Sequence, residues 1–230
     1  MKVSLSTDLT NQIKDFKVGI LFYKDIVVSD SPQMLKGRLQ LFQESLFFDL
    51  QETPVAEQKS VLEWKKIFKT FGKDPNRYRP SSEALIRRVA KQQYLSTIHS
   101  AVDLNNFFSL QYQIPIGLYD ADHIQGDVTI RVGQADEVFE GLNGRENQAE
   151  NLIVSCDDVG PFGSPFVDSK RTSVTTDTKN AMHVVYLSPS LSEDEAPKLV
   201  ESLGNMFHQL HGGDFQYSVL TAGHLTHTFT

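Results

Sequence analysis

Apolar residues in the first half of the chain recur every three or four positions, which is the spacing of one helix face. Two such stretches follow the dipeptides Ser31-Pro32 and Thr53-Pro54, each typical of a helix start. The pattern therefore predicts two amphipathic helices, the second of which ends near Gly72. Their apolar positions are Leu35, Leu39, Phe42, Leu46, Val61, Trp64, Phe68 and Phe71.

Two further helices are predicted before residue 115. Ser81 or Ser82 is placed to cap a third helix, because a turn-rich loop precedes it. A fourth helix is predicted from about Ser100 to Gln111, before Ile114-Pro115. Residues one turn apart lie on the same face of a helix. One face of the fourth helix therefore combines an apolar residue with two polar ones, which are Val102, Asn105 and Ser109.

The pattern changes after residue 115, where short β-branched runs alternate with Gly, Asp and Asn. An earlier segment, Phe16–Val28, is also apolar and predicts a buried strand, or two strands with a kink near Lys24. A capping box at Ser192–Glu195 predicts one more helix, which ends at Gly212-Gly213. The remaining strands are predicted at 115–119, 128–132, 152–156, 182–187 and 215–220.

The order of these elements is strand, several helices, strands, helix and strand. Helices and strands that are segregated along the chain favour an α+β fold over a doubly wound sheet. The chain shows no internal repeat, low-complexity linker or clear boundary, so residues 1–230 are expected to form a single domain. A chain of this length buries a substantial core without disulfides or metals.

Composition is that of an ordinary folded protein, with 40% hydrophobic and 22% charged residues. The N-terminal residues lack the apolar core of a signal peptide, and no apolar run reaches the ~18–20 residues of a membrane span. The single cysteine, Cys156, excludes an internal disulfide, and its neighbours Asp157-Asp158 disfavour a thiolate. We therefore expect a cytoplasmic protein with no membrane partner, in which Cys156 is buried.

Charge is distributed unevenly along the chain. The whole chain carries −7 at neutral pH, which disfavours general nucleic-acid binding. Between Lys59 and Lys91, however, ten basic residues stand against three acidic ones, so this segment carries +7 and the rest of the chain carries −14. A local basic region on an acidic body fits contact with one end of a polyanion, and a solvated helix face is the alternative.

The segment Arg77–Arg88 is a first candidate for chemistry. Arg79 precedes a predicted helix N-terminus, whose free amides and serine hydroxyls can hold a phosphate, a carboxylate or a sugar edge. The structural alternative is that Glu83 pairs with Arg87 one turn later, while the serines only cap the helix. The sequence leaves both alternatives open.

A second candidate lies in the fourth predicted helix. Asp103, Asn105 and Asn106 are poor helix formers within an apolar segment. Polar groups are costly to bury unless they are hydrogen-bonded, so these residues indicate either a structural polar network or the wall of a pocket. Arg171 and the hydroxyl-rich stretch Thr175–Asn180 are compatible with a turn or with a pocket rim.

Common catalytic motifs are absent from the sequence. The chain has no phosphate-binding loop and no Gly-x-Ser-x-Gly elbow, and the prolines of Gly160–Pro165 remove amide donors from a glycine-rich loop. His208 and His211 are spaced to share a helix face, but no third ligand is evident. No metal and no cofactor are therefore expected.

Several of these segments, in this order and spacing, resemble the stand-alone relatives of the editing domain of the phenylalanyl-tRNA synthetase beta subunit. The motifs are Gly72–Arg88, Val102–Asn106, Ser109-Leu110, Pro115–Asp120, Gly126 and Arg131. The resemblance covers about residues 71–187, roughly half the chain, whereas the first seventy residues and the C-terminal helix match only in pattern. It implies an α+β fold with a β-sandwich-like core of unusual topology and flanking helices, in which residues 1–70 are peripheral or variable within the family.

The resemblance also implies a function. The synthetase domain hydrolyses the ester of Tyr-tRNA formed in error, so a free-standing copy is expected to act in trans on the acceptor end of mischarged tRNA. Because an aminoacyl ester is already activated, a positioned water and an amino-acid pocket suffice for its hydrolysis. Ligase activity is not expected, because the chain is too short for a synthetase core and carries no ATP-binding motif.

Roles in such a site follow from the resemblance and from the chemistry of each side chain. The expected catalytic residues are Glu83, Asn105 and Asp120. The expected substrate-binding residues are Arg79, Ser82, Ser109, Gly117, Arg171 and Thr175. The segment Ser164–Lys170 departs from the pattern of the relatives, so the amino acid stays undetermined, as do the tRNA and the oligomeric state.

Two other functions are open at this point. The first is a non-catalytic module that binds tRNA or a free amino acid. The second is an unrelated small-molecule binder or enzyme on the same fold. Turnover distinguishes a hydrolase from the first alternative, and measurable tRNA affinity at low salt distinguishes it from the second.

Overall fold

Two β-sheets stack face to face, and a layer of helices covers the outer face of one of them. The computed structural model describes residues 1–230. The helices are α1 (Thr7–Gln12), α2 (Gln33–Glu52), α3 (Lys59–Thr70), α4 (Ser81–Val89), α5 (Ser100–Tyr112) and α6 (Glu195–His211). The strands are β1 (Lys2–Leu5), β2 (Lys17–Lys24), β3 (Ile116–Asp120), β4 (Val128–Val132), β5 (Val138–Glu140), β6 (Glu146–Gln148), β7 (Ile153–Cys156), β8 (Pro161–Gly163), β9 (Ala181–Leu187), β10 (Asp214–Leu220) and β11 (Thr226–Thr228).

The two sheets contain five and four strands. Their strand orders are β11-β1-β4-β7-β8 and β10-β2-β9-β3, and β5 pairs with β6 in a separate hairpin. β1 and β4 are parallel, whereas all other neighbours are antiparallel. Within residues 1–70, β1 and β2 each lie inside a sheet with hydrogen-bonded strands on both sides. The expectation that this region is peripheral or variable within the family stays a prediction.

Strand β9 shows how the layers are built. Its side chains alternate, so that Met182, Val184 and Tyr186 pack between the two sheets while Val185 and Leu187 pack against the helices. A strand that is buried on both faces needs apolar residues at nearly every position, which explains the continuous apolar run in the sequence. The result is the predicted α+β fold, a β-sandwich core with flanking helices.

The helical layer positions the polar side chains of α5 beside β3. The 20-residue helix α2 packs across α5 and buries one apolar stripe. The leucines of that stripe are Leu35, Leu39, Leu46 and Leu50. No helix of the protein combines the length and the apolar character that crossing a bilayer requires.

Both ends of α6 follow from local sequence, as predicted. The Glu195 amide donates to the Ser192 hydroxyl at 3.2 Å, and the Ser192 amide donates to the Glu195 carboxylate at 3.2 Å, which is a reciprocal capping box. At the other end, Gly212 adopts a φ of 69° and its amide donates to the His208 carbonyl at 2.8 Å.

The serines that were expected to cap α2 and α4 do not cap them. The N-cap positions belong to Pro32 and Pro80, which have extended backbone and make no side-chain hydrogen bond to the helix. Ser81-Ser82 form the first two positions of α4 instead. The Ser31 hydroxyl donates to the buried carboxylate of Asp103 at 2.5 Å, so a tertiary hydrogen bond replaces the local cap.

Cys156 lies at the end of β7 and is buried, as predicted. Burial raises the pKa of its thiol to about 12. The group is therefore a neutral thiol at neutral pH and behaves as a small core residue.

Candidate functional site

A pocket of about 470 Å³ opens between α4, α5, β3 and the loop that follows β8. Its apolar lining consists of Leu85, Ile98, Val102, Ile116, Leu118, Leu142 and Val174. Its polar lining consists of Ser81, His99, Asn105, Asn106, Ser109, Asp168 and Ser173. A cavity of this size, with apolar walls and a few convergent polar groups, is typical of a small-molecule site.

Helix α5 brings two of the predicted site residues to this pocket. Asn105 and Ser109 line it together with Val102, as their spacing on one helix face predicted. The Asn105 amide nitrogen donates to the Ile116 carbonyl at 3.3 Å, which fixes the amide and leaves its buried Oδ1 without a hydrogen-bond partner. The Ser109 hydroxyl donates to the Ile114 carbonyl at 2.8 Å. Because a buried acceptor is costly to leave unpaired, Oδ1 of Asn105 favours a ligand that donates to it.

Asp103, on the same helix, has a structural role. Its carboxylate is fully buried and accepts hydrogen bonds from the Ser31 hydroxyl and from the Ile98 amide, the latter at 2.9 Å. The polar residues of this helix therefore have both of the roles that the sequence left open, a structural network and a pocket wall. Asp103 belongs to a polar network, whereas Asn105 and Asn106 belong to the wall of a pocket.

His99 and Asp168 are the titratable residues of the lining. His99 Nε2 lies 3.3 Å from the Val174 carbonyl, and His99 Nδ1 accepts from the Val102 amide at 3.4 Å at the start of α5. With Nδ1 as the acceptor, the Val174 carbonyl fits the tautomer that carries its proton on Nε2. Because both ring nitrogens are engaged, His99 is not arranged to activate a nucleophile.

Asp168 is a pocket residue that sequence reasoning missed. Its carboxylate accepts a hydrogen bond from the Tyr119 hydroxyl at 2.6 Å. Burial raises the pKa of Asp168 to about 7, although hydrogen bonds from Tyr119 and from the Leu118 amide favour the ionised form. The one signal in the sequence was its place in Ser164–Lys170, the segment that departs from the pattern of the relatives.

Tyr119, which holds Asp168, lies between two glycines. A Cβ atom at Gly117 or at Gly163 would overlap the hydroxyl group of Tyr119. Burial raises the pKa of Tyr119 well above its ordinary value, and the charge of the neighbouring Asp168 raises it further. The Tyr119 hydroxyl therefore stays a neutral donor. Gly117 was expected to bind substrate; the structure places it beside this tyrosine and outside the pocket lining.

Replacing Gly117 with alanine is expected to lower the free energy of unfolding by about 1–3 kcal/mol, because the new methyl group overlaps the Tyr119 hydroxyl. Gly37→Ala is the matched control. It lies within α2 with nothing within 4 Å of the added Cβ, so stability is expected to rise by up to about 1 kcal/mol. Urea unfolding measures both values. A Gly117→Ala protein as stable as the wild type would contradict the close packing of Gly117 against the Tyr119 hydroxyl.

Glu83 and Arg79 lie outside the pocket lining. Arg87 Nε donates to the buried Glu83 Oε1 at 2.8 Å, which is the pair that helical spacing predicted as the structural alternative. Arg79 Nε lies 3.8 Å from the same oxygen, and the Arg79 side chain is 45% exposed. The other carboxylate oxygen of Glu83 is buried without a partner.

Asp120 and Arg171 are also engaged outside this pocket. Asp120 caps the short helix Ala121–His123 through a backbone amide at 3.1 Å, and the Thr178 hydroxyl donates to its other oxygen at 2.6 Å. Arg171 donates to both carboxylate oxygens of Asp157, at 2.9 and 3.0 Å. Arg171 borders a separate surface pocket of about 460 Å³.

Ser82 and Thr175 complete the predicted set. Ser82 is buried in α4, whereas Thr175 is exposed in a turn, where its hydroxyl accepts from the Asp177 amide at 3.2 Å. The structure therefore brings Asn105 and Ser109 together in one pocket and places the other seven predicted residues outside its lining. Their assigned roles stay predictions.

Buried titratable groups make the stability of the protein depend on pH. Burial lowers the pKa of His183 to about 3 and the pKa of His211 to about 4, whereas it raises the pKa of Asp168 to about 7. Between about pH 6 and pH 4.5 the unfolded chain gains two histidine protons that the folded protein does not bind. The folded protein holds one carboxyl proton that the unfolded chain has largely released. The unfolded chain therefore binds one proton more, and stability falls as the pH falls.

The expected loss of unfolding free energy is about 1.4 kcal/mol per pH unit in this range. Urea unfolding at several values between about pH 6 and pH 4.5 measures it. Asp168→Asn removes the opposing proton, so its loss per pH unit is expected to be about twice as steep. A wild-type protein that gains stability on acidification over this range would overturn the prediction.

A sequence profile described as the B3/4 domain matches residues 63–194, a range that contains every residue of the pocket lining. The uncharacterized protein YhzB of Bacillus subtilis (strain 168) is 33% identical over 221 residues, which cover 96% of this chain and 100% of that protein. The phenylalanine–tRNA ligase beta subunit of Fusobacterium nucleatum is 28% identical over 98 residues, which cover 41% of this chain and 12% of that subunit.

The chain thus spans the whole of YhzB but only a small part of the synthetase subunit. Among solved structures, the chain is similar to an N-terminal fragment of the phenylalanyl-tRNA synthetase beta-subunit from Pyrococcus horikoshii. The match covers 93% of this chain and 49% of the fragment. The TM-score is 0.45 and the sequence identity is 18%.

Proposed function

The chain belongs to the B3/4 domain family, and on this premise we propose that it is a hydrolase that acts in trans on mischarged tRNA. The reaction cleaves the ester between the amino acid and the terminal ribose. The observation that carries the proposal is the pocket, whose lining lies entirely within the matched range 63–194. Its size and its mixed apolar and polar walls suit an amino acid attached to a ribose.

Hydrolysis in this pocket depends on orientation rather than on an activated nucleophile. An aminoacyl ester reacts readily with water once the two are aligned. Oδ1 of Asn105 is an unpaired acceptor, so it supports the proposal that Asn105 orients the attacking water or a ribose hydroxyl. The hydroxyl oxygen of Ser109, whose proton is donated to Ile114, supplies a second acceptor in the same wall.

A neighbouring groove of about 250 Å³ supports contact with the unpaired acceptor nucleotides. It is bordered by Arg77, Tyr78, Arg145 and Phe166, and the two aromatic ring centroids lie 5.6 Å apart. Aromatic rings combined with arginines are typical of sites for single-stranded nucleic acid. The loop after β8 contributes to both sites, with Phe166 in the groove and Asp168 in the pocket. The loop before α4 contributes Arg77 and Tyr78 to the groove and belongs to the basic segment.

A second candidate function is a module that binds the aminoacyl end without cleaving it. The observation that favours it is the engagement of both ring nitrogens of His99, since the lining offers no other imidazole or amine base. This function predicts saturable binding of aminoacyl-tRNA with no release of amino acid.

A deacylation assay across a panel of mischarged tRNAs separates the two functions. The panel includes tRNAs that carry tyrosine or isoleucine in place of their own amino acid. A hydrolase is expected to release free amino acid faster than spontaneous hydrolysis from at least one mischarged tRNA, and correctly charged tRNAs serve as the control. Binding without release from any member would reject the hydrolase and leave the binding module.

A further inference from the structure

The pocket lining contains one carboxyl group and no lysine or arginine. Asp168 is the acid, and it takes part in none of the ion pairs of the protein. Both ring nitrogens of His99 already face partners within the protein, the Val174 carbonyl and the Val102 amide. A cationic group is therefore favoured in this pocket, whereas a phosphate or a second carboxylate is disfavoured.

Hydrogen bonds hold Asp168 in position before any ligand binds. The Tyr119 hydroxyl fixes one carboxylate oxygen at 2.6 Å, and the Leu142 amide donates to the Asp168 backbone carbonyl at 2.9 Å. The preceding turn is closed by Ser164, whose hydroxyl donates to the Val167 carbonyl at 3.0 Å. A side chain that is fixed in advance loses little conformational entropy on binding, so the carboxyl group of Asp168 is held in place for a ligand.

From this geometry we propose that Asp168 binds the α-ammonium group of an amino acid whose side chain packs against the apolar wall of the pocket. Oδ1 of Asn105 is left for the attacking water or a ribose hydroxyl. The esterified form of this ligand rests on the proposed function, whereas recognition of the ammonium group does not. The ligand class is then an α-amino acid with an apolar side chain and a free amine, and N-acylated forms are excluded.

The raised pKa of Asp168 is consistent with this role. Burial without a nearby cation disfavours the ionised carboxylate, and a bound ammonium group restores it. Phosphates of the tRNA stay outside the pocket in this arrangement, because the lining offers them no cation.

The test is a calorimetric titration with a stable amide analogue of the aminoacyl end, 3′-deoxy-3′-(L-isoleucylamino)adenosine, against its N-acetyl derivative. The tyrosyl pair of analogues is titrated in the same way. We expect the N-acetyl form to bind about thirtyfold more weakly or worse in at least one pair, since it cannot form the ion pair. Equal affinities within both pairs, or no binding by any of the four compounds, would overturn the proposal.

Two variants assign the effect to Asp168. Asp168→Asn keeps the size of the side chain and an acceptor for Tyr119, and it is expected to bind both forms of the analogue equally weakly. Asp177→Asn, which removes an exposed charge from the same loop, is expected to bind as the wild type does. Thermal unfolding checks that both variants are folded. An Asp168→Asn protein that binds the free amine with wild-type affinity would overturn the proposal.

A lysyl analogue with an acetylated α-amine separates the two possible sources of a cation, because its one ammonium group is on the side chain. Binding as tight as that of the isoleucyl analogue would overturn the assignment to the α-ammonium group. These are binding measurements, so a failure of the deacylation assay leaves their outcome interpretable. Hydrolysis that does not distinguish free from acetylated amines would reject this inference and leave the proposed function standing.

Discussion

Replacing Asn105 with alanine is expected to slow the hydrolysis of mischarged tRNA by about a hundredfold. The amide is fixed by the Ile116 carbonyl, so Oδ1 presents an acceptor at one defined point of the pocket. Alanine removes this acceptor and leaves the water or ribose hydroxyl without a partner that orients it. Single-turnover deacylation, with enzyme in excess over the mischarged tRNA, measures the rate of the chemical step.

Gln111→Ala is the matched control for this measurement. It removes an amide from the same helix, but Gln111 is exposed and lies outside the pocket lining, so the rate is expected to be unchanged. A folded Asn105→Ala protein that hydrolyses as fast as the wild type would remove Asn105 from the proposed mechanism. Circular dichroism of both variants checks that neither change acts through unfolding.

Replacing Trp64 with alanine is expected to lower the free energy of unfolding by about 3–5 kcal/mol. Trp64 is fully buried on α3, and its ring centroid lies 6.0 Å from that of Phe68. The substitution removes a large apolar side chain from the core cluster that also fills the space between the two sheets. Because single domains are stable by about 5–15 kcal/mol, this loss is a large part of the total. Urea unfolding at constant pH measures it.

Leu62→Ala is the matched control for the tryptophan. Leu62 lies on the same helix but is 45% exposed, so its truncation is expected to change stability by less than about 1 kcal/mol. Similar losses for the two variants would show that the helix as a whole, rather than burial of the Trp64 ring, determines the effect.

The longer helices and strands were predictable from the sequence because their signals are local, whereas the six-residue helix α1 was missed. The apolar stripe of α2 and the two polar residues on one face of α5 are set by the 3.6-residue repeat of the helix itself. The capping box of α6 is likewise a contact between residues three positions apart. These features need no information from the rest of the chain.

The short strands were not predictable in the same way. β1 has four residues and β11 has three, and both are too short to show a period. They are strands because they pair with each other and because β1 also pairs with β4. The place of β1 and β2 inside the two sheets was not predictable for the same reason, because it depends on which other strands pair with them.

Some residues of the candidate site were likewise predictable from local spacing, and others were not. Asn105 and Ser109 were found from their spacing, because one helix carries both. Asp168 was missed because its partner Tyr119 is 49 residues away in the chain, and nothing local distinguishes it from a solvated acid. Glu83 was expected to act in the site, whereas the structure pairs it with Arg87.

The sequence by itself determined the helix faces, the buried strands, the α+β class and the uneven distribution of charge, all of which arise from side chains a few positions apart. Only the tertiary structure decided which polar groups share a cavity and which are already paired. That decision depends on distances between segments far apart in the chain, such as the hydroxyl of Tyr119 beside the carboxylate of Asp168. The pocket that Asp168 lines forms only when these distant segments lie side by side in the folded protein.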